Sequence, residues 1–321
     1  MKWSKAELQQ TTPLLNWQKP YLAESGAWQA YRAFYKLGTV ASDCVHLAGR
    51  IEVGGIDIMV QQWRHPAAQG TAILVHGYYD HVGLYGSLVQ FCLAQGLNVV
   101  CFDLPGHGLS GGDEAAIDEF QQYDDVLQAV LQNVQLHASG PLYAFGQSTG
   151  GAILIHYLLS RQLNSTNSPF QAVTLFAPLV RPVGWRKGKI LHGLLHRFVP
   201  RLKRHFKPNS ADAVFLRFVA ESDPLQPRYL SVRWVGALKR WIHFIERQPA
   251  SDIALHIIQG DHDQTVDWRY NVPFLKEKFP QHTVTMIAGG QHHLVNESAT
   301  LRVVMYQQLS ASLFGQDSIV A

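Results

Sequence analysis

Cysteine is scarce, with 3 in 321 residues, and Cys44, Cys92 and Cys101 show no C-x-x-C spacing. That pattern excludes a disulfide framework and a zinc site of the usual cysteine spacing. Cys92 and Cys101 sit inside apolar runs and read as buried thiols of a reducing compartment. No window approaches 18 uninterrupted apolar residues, so no transmembrane helix is expected. The opening MKWSKAELQQTTPLLNWQKP lacks the apolar stretch of a signal peptide. A cytoplasmic protein is expected. Internal repeats and low-complexity tracts are absent as well.

What is present is apolar mass: 47% of the residues are hydrophobic, enough for a large core in one domain with an insertion or in two domains. The net charge of +3 hides an asymmetry. Positions 181–247 hold 15 Lys or Arg against 4 Asp or Glu, a net of +11, so the rest of the chain carries −8. One block is strongly basic and the remainder acidic.

Short β-rich apolar runs alternate with helical spacing. HLAGRIEVGG and IDIMVQQWRH read as an antiparallel pair around Gly54-Gly55. Strands are expected at 71–75, 97–102, 141–146, 171–178, 254–260 and 282–290. Helices are expected at 84–96, 118–137, 150–163, 269–279 and 297–313. Such alternation means βαβ units and a mostly parallel sheet flanked by helices. The basic block interrupts that rhythm. Functional loops of such sheets lie at the carboxyl ends of strands. There the chain places VHGYYDH, DLPGHGLSGG, GQSTGG, GDHDQTVD and GGQHHLVNE.

Two stretches, GLSGG at Ser110 and GQSTG at Ser148, fit the G-x-S-x-G pattern of a nucleophile elbow. A hydroxyl needs exposure on a tight strand-to-helix turn and an adjacent base to become a nucleophile. Ser148 has the strand LYAF before it and the apolar helix TGGAILIHYLL after it. Ser110 follows a loop and precedes the acidic GGDEAA, so it reads as a turn residue of a glycine-rich loop beside the site, helping to form its wall. An orienting acid and then a histidine should follow the nucleophile. Asp261, Asp263 and Asp267 are the acid candidates. Asp263 is favoured, because Asp261 suits a turn and Asp267 suits a helix cap. The base is His292 or His293. His76 and His81 read as loop supports, and no metal or cofactor is expected.

These segments in this order resemble the α/β-hydrolase superfamily, and within it the monoacylglycerol lipase and lysophospholipase branch of serine hydrolases. The resemblance runs from about residue 50 to 313. It implies the α/β-hydrolase fold with a helical cap insertion, and it places the catalytic residues on Ser148, Asp263 and His292, the last rather than His293. It implies an oxyanion hole of the backbone N–H groups of Tyr78 and Thr149. The loop from Asp103 to Ser110 is structural in the family. Tyr78 departs from the small residue usual at its position and would shape the acyl pocket. The implied organisation is an N-terminal extension at 1–48, a hydrolase core at 49–179 and 251–321, and a basic cap or lid at 180–250.

The expected reaction is hydrolysis of lipid-like carboxylic esters, lysophospholipid or monoacylglycerol, through an acyl-enzyme on Ser148. RKGKILHGLLHRFVPRLKRHFK, residues 186–207, alternates basic and apolar residues at helical spacing. It suits peripheral contact with an anionic membrane at the inner face. A peptidase of the prolyl-aminopeptidase type would need an acidic site for the substrate amine, against the basic cap. Another small-ester hydrolase, a carbon–carbon bond hydrolase, an acyltransferase and a non-catalytic ligand-binding module on a hydrolase frame are further alternatives. The basic block alone suggests nucleic acid, but no recognition motif accompanies it, so no nucleic-acid partner is expected.

Overall fold

Continuous apolar runs place their strands at the centre of the molecule. The computed structural model describes residues 2–37, 44–138 and 140–315. Positions 1 and 38–43 of the expected extension, residue 139, and positions 316–321 of the expected core lie outside the described residues. The strands are β1 (Tyr21–Leu22), β2 (Val45–Val53), β3 (Ile56–Arg64), β4 (Gly70–Val75), β5 (Leu97–Phe102), β6 (Leu142–Gln147), β7 (Phe170–Phe176), β8 (Arg201–Lys203), β9 (Tyr229–Ser231), β10 (Leu255–Gly260) and β11 (His282–Ile287). Nine of them form one sheet in the order β1-β2-β3-β5-β4-β6-β7-β10-β11. From β5 to β11 every neighbouring pair is parallel, and β1, β2 and β3 extend the sheet antiparallel. β2 and β3 close through Gly54 and Gly55, whose φ values of 58° and 76° suit the two-residue hairpin turn.

β4 and β10 are buried along their whole length, as strands covered on both faces must be. Ile73 and Val75 of β4 face one core, while Ala72 and Leu74 face the other. α4 (Gln121–His137) and α5 (Thr149–Ser160) fill the first core. α3 (Gly86–Ala94) and α10 (Ala299–Phe314) fill the second. α9 (Trp268–Lys278) links β10 to β11. The first residues, α1 (Lys5–Thr11) and α2 (Gly26–Phe34), join the second core through Trp3, Trp28 and Tyr31, whose rings meet edge to face.

Between β7 and β10 the chain inserts α6 (Trp185–Leu195), β8, α7 (Ala213–Arg217), β9 and α8 (Val232–Arg247). The helical reading of 186–207 holds only for its first half. α6 ends at Leu195, Pro200 cannot continue a helix, and the chain then pairs β8 with β9. α8 buries Trp234, Leu238, Trp241 and Ile245 against the first core, and Trp241 stacks on Phe120. Its other side meets the acidic loop 113–119: Arg233 pairs with Asp113 and Asp118, and Arg240 with Glu119. The charge asymmetry is thus used partly inside the molecule, although exposed pairs of this kind contribute only about 0–1 kcal/mol each.

Candidate active site

β6 ends at Gln147, and α5 begins at Thr149, so Ser148 makes the whole strand-to-helix turn. Its φ of 52° and ψ of −110° lie where a residue with a side chain costs roughly 1–3 kcal/mol. The two flanking glycines have a steric reason. A Cβ on Gly146 would lie 2.7 Å from the backbone of Gly150, and one on Gly150 would lie 1.9 Å from the Val75 carbonyl oxygen. Only glycine lets the elbow press against β4. The turn is fixed by Ser148 N–H donating to the Phe176 carbonyl at 2.8 Å and Leu179 N–H donating to the Ser148 carbonyl at 3.1 Å.

The ends of β10 and β11 bring the other two residues to it. His292 Nε2 stands 3.0 Å from Ser148 Oγ, and His292 Nδ1 stands 2.8 Å from Asp263 Oδ2. Asp263 Oδ1 accepts from the N–H groups of Thr265 and Val266, and Gln259 Nε2 donates to Oδ2. Gln147 Nε2 donates to the His292 carbonyl at 2.9 Å, tying the histidine loop to the elbow. All three residues are buried. Burial alone would lower the pKa of His292, but the charge and hydrogen bond of Asp263 outweigh it and raise it. Burial likewise pushes the Asp263 carboxyl up, yet His292 and the two backbone donors hold it below its ordinary value.

The alternatives weighed for these positions lie elsewhere. Asp261 accepts from Gly289 N–H and sits in the turn. Asp267 precedes α9 without a capping bond from its side chain. His293 turns to Asp80, at 3.1 Å, instead of to the serine. Ser110 is fully buried. Its Oγ donates to the Asp103 carbonyl at 2.6 Å and accepts from Met59 N–H at 2.9 Å, so it braces the glycine-rich loop against β3 and takes no place in the cavity wall. That loop wraps the Asp103 carboxylate, which accepts from Val82 and Leu109 N–H groups. A Cβ on Gly108 would fall 2.3 Å from it.

A cavity of about 360 Å³ opens over Ser148 and His292. Leu179, Trp185, Leu230, Trp234, Val235, Leu238 and Val266 supply its apolar wall, much of it from the inserted helices. Tyr78 and Thr149 line it next to the serine, and a Cβ on Gly77 would sit 3.4 Å from Ser148 Cβ. The Tyr78 ring does not block the cavity. It stacks on Trp234, and its hydroxyl donates to the Ala115 carbonyl.

A second buried network went unread in the sequence. Asp80 accepts from His293 and from the Tyr85 hydroxyl, which itself accepts from Gly77 N–H at 3.0 Å. Burial pushes the Asp80 carboxyl up, but His293 more than offsets this and holds it low. The one sequence signal for this network is the His292-His293 doublet. His76 stays neutral, its pKa lowered to about 3 by burial, and accepts from Leu104 N–H. His81 pairs with Asp223 at 2.9 Å. Among the described residues no cluster of His, Cys, Asp or Glu is placed to hold a metal ion. Nor is any helix among them long and apolar enough to cross a membrane.

A mostly parallel sheet with a strained serine between strand and helix, and a His–Asp pair on two later strand ends, defines an α/β-hydrolase. Residues 66–299 match the family described as serine aminopeptidase, S33. The chain belongs to that family of α/β-hydrolases. It is 30% identical to a monoglyceride lipase of Homo sapiens over 269 residues, 79% of this chain and 84% of that protein. It is 33% identical to a monoacylglycerol lipase of Mycolicibacterium smegmatis over 107 residues, 33% of this chain and only 38% of that protein. A structure of a soluble monoglyceride lipase variant from Saccharomyces cerevisiae with a substrate analog has a TM-score of 0.70, at 18% identity over 85% of this chain and 95% of that one, and shares the fold.

Proposed function

We propose that the protein hydrolyses carboxylic esters of lipid-like substrates through an acyl-enzyme on Ser148. The observation that carries this reading is the hydrogen-bonded line from Ser148 through His292 to Asp263 at the floor of a largely apolar cavity. His292 takes the Ser148 proton as Oγ attacks the ester carbonyl, then gives it to the leaving alcohol. Asp263 fixes the tautomer with the proton on Nδ1 and stabilises the imidazolium. The N–H groups of Tyr78 and Thr149 receive the oxyanion, each worth about 10²–10³ in turnover. Water then repeats the sequence on the acyl-enzyme.

The segment 180–250 serves as a cap that holds the acyl chain, over a core formed by 49–179 and 251–321, with 1–48 packed on as an extension. α6 and the residues just after it support peripheral contact with an anionic membrane surface. Ile190, Leu194 and Phe198 are two-thirds or more exposed, at 67%, 68% and 82%, among exposed Arg186, Lys187 and Arg197. Relatives named monoglyceride lipase support acylglycerol-like esters over peptides. So does the cavity lining: among the described residues its one carboxylate, Asp80, is engaged by His293 and Tyr85.

Turnover of a panel of acylglycerols, short esters and aminoacyl amides by the wild type and Ser148→Ala tests the reading. Ester cleavage that disappears in the variant is the expected result. Cleavage confined to the amides would transfer the protein to the peptidase reading.

A further inference from the structure

The cavity wall holds a guanidinium that acyl transfer does not use. Arg204, just after β8, lines the same cavity as Ser148 and His292. Its Cζ lies 4.0 Å from the Tyr79 ring centroid and 4.3 Å from that of Phe206. Only Nη1 is engaged, donating to Gln226 Oε1 at 2.8 Å and to the Pro227 carbonyl at 3.3 Å. Both acceptors are uncharged. Gln226 is itself oriented, because its Nε2 donates to buried Asp223 and leaves its oxygen turned toward the arginine. Tyr79 keeps a left-handed φ of 72°, a costly conformation for an aromatic residue.

Burial works against the charge of this fixed group, and Asp80 lies near enough to favour it without forming an ion pair. Among the described residues no carboxylate stands at ion-pair distance from Arg204, and its Nε and Nη2 have no acceptor. Asp80, on the same wall, has its two oxygens committed to His293 and the Tyr85 hydroxyl. An arginine pinned by rings and neutral acceptors, with free N–H groups at a cavity, is arranged for an oxyanion from outside. Trp185, Trp234 and Leu238 in the lining suit the acyl chain, and Arg204 in the same lining suits a charged alcohol half of an ester.

We propose that Arg204 recognises a phosphate on the alcohol half of the substrate, so that the site prefers lysophospholipid-type esters to neutral monoacylglycerols. This rests on the ester-hydrolase reading and narrows its substrate class.

The test compares 1-acylglycerol 3-phosphate with 1-acylglycerol of the same acyl chain, in one detergent, with wild type, Arg204→Gln and Arg204→Lys. The wild type prefers the phosphate ester. Arg204→Gln lowers kcat/KM for it by about 10–100-fold more than for the neutral ester, the loss of a charge-assisted contact. Arg204→Lys, which keeps the charge but not the fork, falls between. Thermal melting identifies a variant that does not fold; in that case the selectivity of Arg204→Lys decides. An equal loss on both esters, or no loss on the phosphate ester, overturns the inference while the hydrolase reading stands. A wild type that cleaves neither ester overturns the hydrolase reading and this inference with it.

Discussion

Tyr78 and Trp234 stack with ring centroids 3.9 Å apart and planes 19° apart, joining the loop beside Ser148 to the inserted helix α8. The contact couples the proposed oxyanion loop to the proposed cap. It also accounts for a bulky residue at position 78, whose ring binds the helix.

Removing that ring should loosen both sides of the cavity. Trp234→Ala is expected to cost about 3–5 kcal/mol of stability, the range for emptying a buried aromatic site. Its kcat/KM for a long-chain ester should fall more than for a short one, since Trp234 also lines the acyl wall. Chemical denaturation and paired ester assays measure the two effects. Equal losses on both chain lengths would detach Trp234 from acyl binding.

The pH response follows from the His292–Asp263 pair. Catalysis needs neutral His292, whose pKa is raised in the fold. Activity should therefore climb with pH through a midpoint above the ordinary histidine value of about 6.5. Stability runs the other way. The contribution of a raised His292 is complete below about pH 6.5 and is lost as pH rises through the folded-state value. Asp263, with its pKa held down, contributes above about pH 3.9 and loses that contribution as pH falls through its lower folded value. Asp263→Asn should lower the His292 midpoint and cut kcat by about 10⁴-fold, because the amide favours the wrong tautomer. A pH–rate profile of both proteins checks this. An unmoved midpoint would remove Asp263 from the mechanism.

The two G-x-S-x-G serines separate by what their loss damages. Ser110→Ala removes a buried donor and acceptor and is expected to cost about 1–3 kcal/mol of stability with catalysis by the folded protein retained. Gly150→Ala forces a Cβ to within 1.9 Å of the Val75 carbonyl oxygen and should destabilise by roughly 1–3 kcal/mol or more while deforming the elbow. Urea melts and ester turnover distinguish the two outcomes. A stable, inactive Ser110→Ala protein would contradict the bracing role.

Membrane contact by α6 and the segment just after it predicts stronger sedimentation with anionic than with neutral vesicles. Each basic residue at the surface contributes about 1 kcal/mol. Replacing Ile190, Leu194 and Phe198 by Ser should weaken binding to both vesicle types and leave hydrolysis of a dissolved short ester unchanged. Equal binding to neutral and anionic vesicles would remove the basic residues from the account.

Much of the fold was readable because its strands are short apolar runs closed by glycine and its helices have clear spacing. The serine, acid and histidine stood at strand ends in the order that one chemistry needs. Context separated Ser148 from Ser110, although the pattern alone matched both. The basic segment was harder. Within residues 186–207 Pro200 marks a helix stop that the basic–apolar alternation masked, and the pairing of β8 with β9 depends on residues far along the chain. The Asp80–His293–Tyr85 network and the seat of Arg204 were likewise hidden, since each joins residues that only the tertiary structure brings together.

The most direct test of the central claim is fluorophosphonate labelling followed by peptide mapping of the wild type, Ser148→Ala and Ser110→Ala. The account predicts label on the peptide carrying Ser148, its loss in Ser148→Ala and its persistence in Ser110→Ala. Label on Ser110, or undiminished labelling of Ser148→Ala, would contradict it.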